Sequence, residues 1–322
     1  MCFLIGGYDK EGRPLLGSVS DDPYDIRTFV RTVRPEGALA HIGTELISTT
    51  EHNLAERGYF ANPGETTRGL NESGLAFTCA MIIEREEQKK ATSFATLTSQ
   101  MMNQCKSVDE AIALFEAEEA IYPCFTLLLA DAKGDLAQVE VGSKGTVVYE
   151  RFSRAHRGTL FAVNCYLSAS RLDLCAPHTL LTRRENNNSW RRERGADMAS
   201  GWEFELSVER VAQILSDHQN SEIDPTTNPV LDGWGFSICN HGTRHSDDYP
   251  IEDLPWGTVS AEIIDPCRST FHYAYGWPCG SPVQYGDQLY QENSWGEFRP
   301  FRIGEEGSLT TPDGCDLTRQ PA

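Results

Sequence analysis

Apolar residues along this chain fall into short runs separated by turn clusters, the pattern of a sheet-rich fold. Cys2 to Gly7 is apolar, Asp9-Lys10-Glu11-Gly12 is a turn cluster, and Pro14 to Val19 resumes an extended run, which together predict an N-terminal hairpin. Gly74 to Ile83 is almost continuously apolar at strand length, as expected inside a sheet. Residues 124–130, 136–141 and 146–149 predict an antiparallel meander, with turns at Asp131-Ala132-Lys133-Gly134-Asp135 and Gly142-Ser143-Lys144-Gly145. Residues 159–163 predict a strand ending at Asn164, and 258–264 with 269–275 a late hairpin around Asp265-Pro266.

Helical spacing is confined to three places. Residues 93–105 and 107–118 predict two helices, the second opened by a capping box of Ser107 with Glu110 and carried by Val108, Ile112 and Phe115. Residues 206–218 predict a third, capped by Ser207, with Val208, Val211, Ile214 and Leu215 on one face. Between residues 21 and 67 the pattern is mixed and predicts only strands and loops. Strands, helices, strands, helix, strands in that order imply mixed sheets with helices outside them. No repeat or linker divides residues 1–322, so one domain is expected, with a C-terminal extension from about residue 286 to which no element is assigned.

Composition narrows the partners. The 322 residues carry 28 Lys and Arg against 47 Asp and Glu, a net charge of −19, which disfavours nucleic acid and anionic membrane surfaces. A small molecule is the expected partner, and self-association stays open. No apolar run spans a bilayer, and the start lacks a basic leader, so a cytoplasmic location is expected. Six arginines at 171, 183, 184, 191, 192 and 194 make a local basic cluster that reads either as an anion site or as a solvated helical face.

Ten cysteines at irregular spacing read mostly as small buried hydrophobes. Cys2 differs, because removal of Met1 would leave a thiol and a free α-amine on one residue, a nucleophile and its own base. Chance occupancy of an apolar first strand is the competing explanation. Cys239, His241, His245, Cys267 and Cys279 are residue types that could ligate zinc, but no paired knuckle or His-Glu-x-x-His spacing supports them, and neither metal nor cofactor is expected. Trp234, Trp256, Tyr273, Tyr275 and Trp277 form a downstream aromatic group suited to core and rim packing, with a share in an apolar pocket.

The motifs run in a fixed order: Cys2, Gly17-Ser18-Val19-Ser20-Asp21-Asp22, Arg68-Gly69-Leu70-Asn71-Glu72-Ser73-Gly74-Leu75, the 128–135 hairpin, Val139-Glu140-Val141, and Phe161-Ala162-Val163-Asn164. Ser237 to His241 and Gly257 to Ala261 follow. This ordered set resembles the N-terminal-nucleophile (Ntn) hydrolases with an N-terminal cysteine, nearest the acyl-CoA:6-aminopenicillanate acyltransferase branch, with choloylglycine hydrolase and penicillin V acylase more distant. The resemblance implies an α+β, four-layer αββα sandwich of two mostly antiparallel sheets. It also implies an amidohydrolase that cleaves a linear amide through a Cys2 thioester; passage of the acyl group to an amine, or a silent ligand-binding member, are the alternatives.

By the same resemblance Cys2 is the nucleophile, Asp21 orients its amine, and Asn164 holds the oxyanion. Asn71, Met81 and Arg171 are the expected substrate-binding positions. Asp21 and Asn71 also read as turn residues. Two departures stand out: Ser18 replaces the arginine of the bile-salt enzymes, and Met81 replaces their second asparagine.

Overall fold

The computed structural model describes residues 2–23, 26–48, 65–85, 91–176, 187–217, 237–240, 256–280, 284–285, 288–289 and 294–303. In chain order the strands are β1 (Phe3–Tyr8), β2 (Pro14–Pro23), β3 (Ile26–Val33), β4 (His41–Ser48), β5 (Arg68–Asn71), β6 (Leu75–Ile82) and β7 (Thr92–Ser93). Helices α1 (Phe94–Gln104) and α2 (Val108–Glu116) come next, then β8 (Ile121–Tyr122), β9 (Cys124–Asp131), β10 (Leu136–Gly142), β11 (Gly145–Phe152) and β12 (Leu160–Val163). Helices α3 (Asn187–Ser200) and α4 (Val208–Leu215) precede β13 (Trp256–Asp265), β14 (Thr270–Tyr275), β15 (Gln284–Tyr285), β16 (Gln288–Leu289) and β17 (Arg299–Arg302).

Two large sheets dominate. The first runs β12-β1-β2-β13-β14-β17 and the second β11-β10-β9-β6-β5-β4-β3. Every neighbouring pair in both sheets is antiparallel. β17 lies inside the stretch to which the sequence pattern assigns no element, and it closes an edge of the first sheet by pairing with β14.

Strand alternation explains the layering. In β1, Phe3 and Ile5 join a core with Ala199, Val211, Ile214 and Leu215 of α3 and α4, whereas Leu4 and Tyr8 join a different core. That second core lies between the sheets and draws Leu16, Leu70, Ala76, Leu128, Leu136 and Ile264 from both. A third core packs the outer face of the second sheet, through Phe77, Leu127, Leu129 and Val139, against Leu97, Met101, Ile112 and Phe115 of α1 and α2. Three cores separate four layers, giving the expected αββα sandwich. Side-chain oxygens cap the helices at the expected positions: Ser107 accepts from Glu110 N and Ser207 from Arg210 N. Among the described residues, no helix is long and apolar enough to cross a membrane.

Candidate active site

The inter-sheet layer changes character along its length. Leucines and alanines fill its middle, but at the end where β1 begins, the positions facing it become polar. Period-two alternation decides which side chains these are. On β1, Leu4 faces the other sheet, so Cys2 does too; on β12, Leu160 and Ala162 face it, and Asn164 shares their parity. The same count brings in Arg68 from β5, two before Leu70, and Glu262 from β13, two before Ile264. All four side chains are buried.

Asn164 and Arg68 take hold of Cys2 from two directions. The Cys2 nitrogen donates to Asn164 Oδ1, and Asn164 Nδ2 donates to the Met81 carbonyl at 2.7 Å. The Met81 carbonyl can only accept, which orients the amide with Nδ2 toward it and leaves a second Nδ2–H. Arg68 Nη2 lies 3.4 Å from Cys2 Sγ and donates to the Cys79 carbonyl at 3.1 Å. Its Nε lies 3.6 Å from Glu262 Oε2.

Glu262 is fully buried and well supplied with donors. Ser18 Oγ donates at 2.8 Å, Thr44 Oγ1 at 3.0 Å and Ser260 Oγ at 2.8 Å. Burial opposes the charge of Arg68, but Cys2 and Glu262 more than offset it and hold the guanidinium above its usual range. Ser18, one of the two sequence departures, thus serves Glu262.

Asp21 sits on the other face of β2. It shares the parity of Leu15 and Val19, which face α3 and α4, and there the fully buried Arg191 of α3 pairs with its Oδ2 at 2.8 Å. Thr258 Oγ1 donates to its Oδ1 at 2.7 Å. Arg191 also donates to the Ile238 carbonyl at 2.9 Å. One member of the basic cluster is therefore a buried counter-ion. Arg183 and Arg184 lie outside the described residues. Phe3 pairs with Val19; continued by one residue, that register sets Ser20 across from Cys2, with Asp21 one residue further along β2.

The three expected substrate-binding positions are not gathered around Cys2 by their side chains. Asn71 points to the outer face of the second sheet. Its Nδ2 donates to the Met102 and Cys105 carbonyls, and its Oδ1 accepts from Ser73 N and Leu75 N, so its amide is fully used in tying α1 to the β5–β6 turn. Met81 likewise packs toward α1 and α2 and meets Asn164 through its carbonyl alone. Arg171 lies over the Tyr166 ring and donates to the Lys144 and Gly145 carbonyls at the β10–β11 turn.

Burial acts on the internal cysteines. It pushes the Cys79 and Cys124 thiols up to about 12, Cys105 to about 11, and Cys239 well above its ordinary value, so each is held as a neutral thiol. Cys175 goes the other way because Cys165 Sγ and Tyr166 N bond to it, but it is fully buried. Of the residue types suited to zinc, Cys239 and Cys279 meet at 3.6 Å, Cys267 bonds the Ala132 carbonyl, and His241 and His245 lie outside the described residues. Tyr273 and Tyr275 are buried in the inter-sheet core and pack on Trp295, while Trp234 lies outside the described residues.

A family model described as acyl-coenzyme A:6-aminopenicillanic acid acyl-transferase matches residues 33–247. None of the curated proteins matches the chain by sequence. Among solved structures, a cysteine-to-alanine mutant of conjugated bile acid hydrolase from Clostridium perfringens is similar, with a TM-score of 0.55, 11% identity, and coverage of 95% of this chain and 94% of that one. The Caenorhabditis elegans ortholog of N-acylethanolamine-hydrolyzing acid amidase is similar with a TM-score of 0.50 and 10% identity, covering 83% of this chain and 93% of its own. At such identities the likeness is one of fold, that of the Ntn hydrolases.

Proposed function

Because the chain belongs to the acyl-coenzyme A:6-aminopenicillanic acid acyl-transferase family, we propose that it cleaves the linear amide of a small N-acyl substrate, with Cys2 as nucleophile. It is an enzyme of the amide hydrolase or acyltransferase type. The observation that carries the proposal is the meeting, at the polar end of the inter-sheet layer, of the Cys2 nitrogen with Asn164 and of the Cys2 sulfur with Arg68.

In this reading, loss of Met1 frees the α-amine, which takes the thiol proton. The thiolate attacks the amide carbonyl, forming the S–C bond and placing the negative charge on oxygen. The second Nδ2–H of Asn164, with backbone N–H groups, stabilises that oxyanion. The C–N bond breaks as the α-ammonium returns a proton to the leaving amine, and an acyl group remains on Cys2 as a thioester. Asp21, fixed by Arg191 and Thr258, orients the α-amine. Water resolves the thioester in hydrolysis. An amine resolves it in acyl transfer, the second reading, which the family's name favours.

Mass spectrometry tests the proposal. A chain beginning at Cys2 and gaining one acyl mass on its N-terminal peptide is the expected result. A fully active preparation that retains Met1 would overturn it. Offering water or an amine to the isolated acyl-enzyme then separates the two fates.

A further inference from the structure

We propose that Arg68 is a catalytic cation, supplied by β5 of the second sheet, that faces the Cys2 sulfur and stabilises the thiolate when the thiol proton moves to the α-amine. The inference rests on the proposed role of Cys2. Its geometric basis is the 3.4 Å approach of Nη2 to Sγ, with Nη2 also fixed by the Cys79 carbonyl at 3.1 Å. Glu262 acts behind it as a positioning residue: its carboxylate meets Nε and is itself held by three hydroxyls from β2, β4 and β13.

The energetics of burial point away from a purely structural tie. A buried ion pair costs several kcal/mol per ion in desolvation, and apolar residues of similar volume commonly hold two sheets together as well or better. The apolar members of this layer are leucine, alanine, isoleucine and aromatic rings, alongside the buried Thr78, Thr126, Gln138 and Glu140. The pair occurs where a sulfur must carry negative charge. There a guanidinium in a poorly hydrated site acts strongly, because little water screens it. The cation lies on one side of Sγ and the Asn164 amide binds the adjacent nitrogen, so thiolate and base are addressed by separate groups.

The protein's own charge makes the test stringent. With a net charge of −19, the overall field repels anions, so only a local cation can draw one to Cys2. Cys2 alkylation is followed on its peptide with iodoacetate, which is anionic, and with iodoacetamide, which is neutral. Each reagent forms an S–C bond as the C–I bond breaks and iodide leaves.

The ratio of the two rates should be higher in the folded chain than in the urea-unfolded chain. Arg68→Gln should lower it by about three- to tenfold, and Arg68→Lys should retain most of it. The double variant Arg68→Gln with Glu262→Gln removes both buried charges, avoids stranding one of them, and should give the same fall. A folded-chain ratio no higher than the unfolded one overturns the proposal without any variant. So does an unchanged ratio in a folded Arg68→Gln or double-variant protein. Alkylation needs no turnover: loss of the ratio effect in an active enzyme removes Arg68 alone, whereas a preserved effect in an enzyme inert toward amides removes the proposed reaction alone.

Discussion

At the scale of single residues, the site separates groups that act on Cys2 from groups that hold those groups. Replacing Cys2 by alanine should abolish turnover with little change in the melting curve, whereas Cys79→Ala should keep substantial activity and cost packing energy of about 1 to 3 kcal/mol. Asn164→Ala removes both the partner of the Cys2 nitrogen and the donor to the Met81 carbonyl. Single-turnover acylation should then slow by about a hundred- to a thousandfold, roughly 2.7 to 4 kcal/mol of transition-state stabilisation. A destabilised variant with unchanged acylation would return Asn164 to a strand-end role. Asp21→Asn should act on the fold first, because it strands the fully buried Arg191; a loss of about 3 to 5 kcal/mol is expected in denaturant melts. A variant as stable as the parent would show that Arg191 has another counter-ion.

At the scale of elements, the β1–β2 hairpin that presents Cys2 is fastened by a carboxylate. Asp9 accepts from Glu11 N, Arg13 N and Arg13 Nε. Its burial works against ionisation, but the Arg13 bonds outweigh burial and set its titration below the usual carboxylate range. A depressed acid stabilises the fold above its unfolded value of about 3.9, and that stabilisation is lost as pH falls through the folded value. Asp9→Asn should therefore cost about 1 to 3 kcal/mol at neutral pH, and its stability curve should converge with the parent's below about pH 4. Parallel curves down to about pH 2 would rule out this linkage. Elsewhere, β4 approaches β5 at Gly43, which pairs with Gly69 and where a Cβ would run into the Arg68 carbonyl. Gly43→Ala should push the strands apart, lower the melting temperature and shift the Cys2 alkylation ratio.

At the scale of the whole molecule, the frame was legible in the sequence because local signals carry it. The apolar run from Gly74 became Leu75–Ile82, the meander became β9, β10 and β11, and Ser107 and Ser207 cap helices as expected. What escaped was long-range. Arg68 opens an apolar strand and Glu262 interrupts another, and nothing local says that two lone opposite charges so far apart in the chain pair with each other. Each was nonetheless visible as a charge inside a buried run, which is rare without a partner. The arginine-rich stretch misled in the same way, since a helical face reads as solvated until something acidic, here Asp21, is packed against it. Asn71 shows the converse: a motif residue near the site in sequence can face the other side of its strand.

The bond between the Cys2 nitrogen and Asn164, 162 positions away, also sets a clock. A ribosome adding roughly 5 to 20 residues per second needs about 8 to 30 seconds to pass from the first residue to the second. During that interval the partner of the Cys2 nitrogen does not yet exist. Once β12 docks beside β1, the Cys2 nitrogen is engaged by Asn164 and the residue is buried. Under the proposed mechanism, exposure of the Cys2 amine competes with folding, so a slower-folding variant should carry a free Cys2 amine in a larger fraction of chains, read by intact mass.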